Sequence, residues 1–72
     1  MFPAGEIAKI LIPNEVNEGF DYRLAAPADI GDLVSVPVLN KVFLGIVIGA
    51  GDGNIPMEKI RPVLAHHGYS FP

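Results

Sequence analysis

Phe20-Asp21-Tyr22 is the segment of this 72-residue chain whose residue types and spacing could do chemistry. Two aromatics flanking a carboxylate can stack on a nucleobase while the carboxylate accepts a hydrogen bond from a sugar hydroxyl. The same carboxylate repels a terminal phosphate, so the group would select a free hydroxyl end. A plainer reading stands beside it. Period-two alternation places Phe20 and Tyr22 together on a core face and Asp21 in water, and the pattern alone favours that version.

Other chemistry finds little footing. The chain has no Gly-rich phosphate loop ending in Gly-Lys-Ser or Gly-Lys-Thr, no His-Glu-x-x-His and no Gly-x-Ser-x-Gly, and Ser35 and Ser70 are its only serines. No enzyme activity is expected within these residues. His66 and His67 are neighbours that would point to opposite faces of a strand, and metal sites need three or four convergent groups, so no metal site is expected. Lys9, Arg23, Lys41, Lys59 and Arg61 are scattered along the chain. Arg61 can approach a phosphate only if the fold brings it beside Phe20 to Tyr22.

Composition narrows the partner. The net charge is −3, with five Lys and Arg against eight Asp and Glu. Duplex readers neutralise many phosphates, and five cations cannot coat a groove. Contact with DNA must therefore be a small local site, which suits an end reader. Half of the residues are hydrophobic and none is Cys, so the core must hold the fold without disulfides or thiolate metal sites. A chain of this size buries only about 60% of its unfolded surface, so stability should be marginal. The longest apolar stretch, Val42 to Gly51, is far below the roughly 20 residues of a spanning helix. No basic segment, apolar run and small-residue cleavage site opens the chain. These features lead us to expect a cytoplasmic protein with no membrane partner.

These residues need elements to position them, and the chain offers short strands. Eight Gly and seven Pro break it into pieces, and no window carries a helical period over three turns. Strands are expected over Glu6 to Ile12, ending at Pro13-Asn14, and over Phe20 to Leu24. Ala25 to Asp32 reads as a loop. Leu33 to Val38 follows, with Val34, Val36 and Val38 facing one way, and Leu39-Asn40-Lys41 is short enough for a hairpin connection. Val42 to Ile48 is the next strand, with Gly45 marking a bulge, a sharp bend or a close backbone approach. Gly49 to Pro56 reads as a turn-rich loop, Met57 to Arg61 as a single helical turn, and Pro62 to Ala65 as a last strand. The expected fold is all-β: a small antiparallel, partly open five-stranded barrel, OB-like, with an SH3-like barrel as the alternative. Tyr69 and Phe71 near the end have no evident core to join. The chain is therefore read as one domain, 1–72, cut from a longer protein.

The order of the segments carries a resemblance. Phe20-Asp21-Tyr22 is followed by Gly31-Asp32-Leu33-Val34-Ser35-Val36-Pro37, then Leu44-Gly45-Ile46-Val47, then Lys59-Ile60-Arg61-Pro62-Val63-Leu64. Nearly the whole chain resembles the N-terminal 3′-DNA-binding domain of the primosomal protein N′ (PriA) family of bacterial replication-restart helicases. The resemblance implies a small barrel that holds the 3′-terminal nucleotide of the nascent leading strand at a stalled fork. Asp21 would then bond the 3′-hydroxyl, with Phe20 and Tyr22 shaping the base pocket, and Arg61 stands where the family has a pocket Lys or Arg. Leu39 takes the place of a family glycine, where its side chain would narrow the pocket and a positive φ would be strained. The implied parent is an ATP-dependent 3′-to-5′ DNA helicase whose ATP and zinc sites lie outside these residues. The implied partners are fork DNA ends, the rest of that helicase and other primosome proteins.

Two other functions fit the residues. The acidic charge and the Gly-Asp-x-Val-x-Val pattern suit an SH3-like protein-interaction module. The positive mean hydropathy of +0.39 suits a structural domain docked on a larger protein.

Overall fold

The computed structural model describes residues 1–13, 19–53 and 56–68. The expected turn at Asn14 and the aromatics Tyr69 and Phe71 lie outside the described residues. Five strands form one antiparallel sheet: β1 (Ile7–Leu11), β2 (Phe20–Arg23), β3 (Leu33–Val38), β4 (Lys41–Ala50) and β5 (Ala65–His66). Their spatial order is β2-β1-β4-β3-β5. The sheet curls into a small OB-like barrel that is not fully closed.

Alternation makes the core. Ala8 and Ile10 of β1, Tyr22 of β2, Val34 and Val36 of β3 and Val47 of β4 are buried on the inner face, joined by Ile12, Leu24 and Val63. Full burial of a Val or Ile contributes about 1.5–3 kcal/mol, and in a chain without Cys this packing carries the fold. Val38 packs on the rim of the core, half-buried, in line with Val34 and Val36.

Gly45 sits in mid-strand for a reason more specific than a bulge. A Cβ built there would lie 2.4 Å from Ile10 Cγ2 and 3.3 Å from the Leu11 carbonyl oxygen. The space belongs to the Ile10 side chain, so only glycine fits. The bulge lies further along, where Lys9 pairs with Gly49 but Ile10 pairs with Val47, leaving Ile48 as the extra residue. Pairing with β1 also carries β4 to Ala50, into the expected loop.

Leu39 and Asn40 connect β3 to β4 as a two-residue hairpin, with Val38 opposite Lys41. Leu39 has a φ of 56° and is 85% exposed. The left-handed region costs a non-glycine residue roughly 1–2 kcal/mol, so this tip is strained.

The last strand differs from the sequence reading. It begins at Ala65, because Pro62 has no N–H to give a ladder. Instead Pro62 makes a single parallel bridge with Arg23. The bonds around it run from Arg23 N–H to the Arg61 carbonyl (3.0 Å) and from Val63 N–H to the Arg23 carbonyl (2.8 Å). Two residues on, Leu64 N–H donates to the Ser35 carbonyl (2.8 Å), and His67 N–H donates to the Leu33 carbonyl (2.9 Å). Residues 61–67 thus form a strap from the β2 edge to the β3 edge, closing one end of the seam between them.

Candidate nucleic-acid interface

The other end of the seam stays open, and that opening is the site. Successive residues of a strand aim their N–H and C=O groups to opposite sides. Arg23 gives both groups to the strap, so those of Asp21, two residues earlier, point off the same open edge of β2. On β3, Leu33 and Ser35 bond the strap through their carbonyls, so the Pro37 carbonyl points into the seam as well. Between the two edges lies a cavity of about 230 Å³, lined by Phe20, Asp21, Tyr22, Pro37, Val38, Leu39, Lys59 and Arg61.

Each wall has a local cause. Tyr22 is only 6% exposed, and its hydroxyl donates to the Pro37 carbonyl (2.9 Å), tying the two edges together beneath the cavity. Phe20 shares the inner face with Tyr22 but stands at the strand's start, beyond the core, where it is 42% exposed. The expected burial of both rings thus holds for Tyr22 alone, and Phe20 keeps a face available. Leu39 enters from the β3–β4 hairpin. Lys59 ends the 3₁₀ turn Met57–Lys59, which is closed by its own N–H bond to the Pro56 carbonyl (2.8 Å), and Arg61 follows where the strap begins.

Asp21 does not stand alone in water. Its carboxylate accepts the backbone N–H groups of Asp52 (3.1 Å) and Gly53 (3.4 Å). Asp52 in turn pairs with Lys9. Gly51 permits this approach, since a Cβ there would lie 2.6 Å from Ile7 Cγ2 and 3.0 Å from the Asp21 carboxylate. A carboxylate offers about four acceptor positions, so two donors leave it capacity. Asp21 therefore presents a peptide edge to the cavity and an oriented negative charge beside it.

The cations that look scattered in sequence gather here. Lys59 and Arg61 line the cavity, and Lys41 borders the hairpin beyond Leu39. Three of the five Lys and Arg residues thus stand at one end of an acidic barrel.

Burial raises the Tyr22 hydroxyl above its ordinary pKa of 10.0, and the nearby Arg61 guanidinium partly offsets the shift. A raised value in the folded state means that folding favours the neutral phenol. The associated stability is fully present below the unfolded value near 10 and is lost as pH rises through the folded value. Chemical denaturation between pH 8 and 11 is expected to show Tyr22→Phe about 1 kcal/mol less stable than wild type at pH 8, for the lost bond to Pro37. The variant's alkaline loss of stability should be shallower. Parallel curves for the two proteins would show that Tyr22 is not the group responsible.

The two histidines have separate structural partners. His66 Nε2 accepts the N–H groups of Ala25 and Ala26 (3.2 Å each), and His67 Nε2 meets Ser35 Oγ at 2.7 Å. Among the described residues no group of three His, Cys, Asp or Glu side chains converges on a point that could hold a metal.

All five residues singled out in the sequence, Phe20, Asp21, Tyr22, Leu39 and Arg61, border this one cavity. Pro37, Val38 and Lys59 escaped sequence reasoning. Lys59 had a signal, since it sits two residues before Arg61 in Lys-Ile-Arg-Pro. Residues 9–68, well over half of the chain, match the family model described as the 3′DNA-binding domain (3′BD) of PriA. No curated protein and no solved structure matches the chain.

Proposed function

Since the chain belongs to the 3′DNA-binding domain family of PriA and DNA is thereby its partner, we propose that the open seam holds the 3′-terminal nucleotide of a DNA strand. The observation that carries the proposal is the convergence of an exposed aromatic, an open peptide edge and two cations on a cavity of about 230 Å³, with an oriented carboxylate beside it. A nucleotide laid against the β2 edge meets Asp21 N–H and C=O in the plane of the sheet. That donor and acceptor pair complements the donors and acceptors on a base edge. Phe20 flanks the base on the inner face. The Asp21 carboxylate lies on the other side of the strand, where the sugar's 3′-hydroxyl donates to it. Lys59 and Arg61 neutralise the phosphate that joins the terminal nucleotide to the strand.

In this reading the domain orients a replication-restart helicase on the nascent leading strand of a stalled fork. Few phosphates are neutralised, so binding is weak and its salt dependence shallow. Fluorescence anisotropy on a fork ending in a leading-strand 3′-hydroxyl, against the same fork ending in a 3′-phosphate, tests the proposal. The hydroxyl end should bind on the order of tenfold more tightly, because a carboxylate facing a phosphate costs at least about 1.4 kcal/mol. Equal affinities would refute end recognition and leave a nonspecific DNA contact.

A further inference from the structure

Across the Leu39 ridge from the terminal-nucleotide cavity lies a second one of about 370 Å³, lined by Val38, Leu39, Asn40, Lys41 and Phe43. It occupies the inner face of the β3–β4 hairpin where that hairpin runs past the end of the barrel. Val38 and Phe43 are half-buried and pack against the core cluster from one side. Asn40 and Lys41 are exposed at the tip. We propose that this cavity is a second base subsite, for the nucleotide next to the 3′-terminal one. The inference rests on the end-binding reading of the first cavity.

Three features select this occupant. The lining combines an aromatic and two aliphatic side chains with one amide and one ammonium, and no described lining residue is acidic. Apolar and aromatic surface takes the face of a base, an amide offers both donor and acceptor to a base edge, and an ammonium takes the phosphate. The two cavities also share Val38 and Leu39, so a strand leaving the first passes directly into the second. Finally, Leu39 holds its exposed side chain at a φ of 56° on the ridge between them. Strained backbone persists where the surroundings fix it, and such positions cluster at ligand clamps. Leu39 separates two successive bases, with its apolar flanks turned to both.

The test uses the 72-residue chain and deoxyoligonucleotides ending in a 3′-hydroxyl, with the penultimate nucleotide either intact or abasic. Each is also made with a 3′-phosphate. The abasic substitution should weaken wild-type binding on the order of tenfold, as expected for a lost stacking contact. In Asn40→Ala and in Phe43→Leu, each checked for a cooperative melt, the abasic penalty should shrink to about threefold or less, since part of the contact is already gone. Wild type that keeps its hydroxyl preference but shows no abasic penalty overturns the second subsite alone. An abasic penalty unchanged in both variants places that base elsewhere and also overturns it. Loss of the hydroxyl preference itself removes the end-binding reading and the subsite together.

Discussion

Gly45→Ala is expected to lower the melting temperature by about 10–20 °C. The added methyl would sit 2.4 Å from Ile10 Cγ2, inside a contact that real atoms do not make. Ile10 is fully buried between β2 and β4 partners, and the Leu11 carbonyl closes the other side at 3.3 Å. Neither neighbour can swing into solvent. Overpacking of this kind typically costs 1–3 kcal/mol, and each kcal/mol moves the midpoint of a domain this small by about 4–8 °C. A compensating change separates a steric cause from a loss of strand quality. Ile10→Leu removes the β-branch whose methyl occupies the glycine's space, so the double variant should melt higher than Gly45→Ala alone. If Gly45→Ala melts within about 2 °C of wild type, the close approach of β1 to β4 is wrong.

The second large effect belongs to Asp21→Asn, which should erase the discrimination between 3′-hydroxyl and 3′-phosphate ends while leaving the fold in place. The amide keeps an oxygen that accepts one of the Asp52 and Gly53 N–H groups, so the loop remains anchored. What disappears is the negative charge, and with it the repulsion of a phosphate. The expected ratio of affinities falls from on the order of tenfold to near unity, chiefly because the phosphate end binds better. Paired anisotropy titrations at one fixed low salt concentration measure it, since added salt screens an exposed charge within about 10 Å. A variant that still prefers the hydroxyl end would assign the discrimination to the peptide edge or to Leu39 rather than to the carboxylate.

Much of the fold was legible because alternation is a local signal. The valines at 34, 36 and 38 define one face, and β3 runs over Leu33–Val38 as the pattern says. Misreadings arose where two segments had to be counted against each other. Ile48 is a bulge only relative to Lys9 and Ile10, which no single segment reveals. Gly45 reads equally as a bulge, a bend or a close backbone approach, and only Ile10 and Leu11 placed against it single out the last. Pro62 sat inside an expected strand, but its missing N–H confines it to a bridge whose bonds come from Arg61 and Val63.

The site follows the same rule. Phe20, Asp21 and Tyr22 stood out because they are adjacent, and the family resemblance supplied Leu39 and Arg61. Net charge confined any DNA contact to a small local site, but a total of −3 says nothing of where the cations stand. The seam itself, an opening between the edges of two strands distant in sequence, has no signature in the chain. It exists only because residues 61–67 reach from Arg23 to Leu33 and leave Asp21 and Pro37 uncovered.

That strap has a bearing on how the domain comes to exist during synthesis. A growing chain releases β1, β2 and the β3–β4 hairpin first, and these can pair as they emerge. The bonds that join Arg23 to Arg61 and Leu33 to His67 need residues that are synthesised only after all four of those strands. Lys59 and Arg61, the cavity's cationic wall, arrive on the same late segment. A nascent chain that stops short of His67 therefore carries the aromatic and peptide walls of the cavity without the clasp that fixes their spacing. The seam proposed to hold a DNA end is the last part of the domain to be completed.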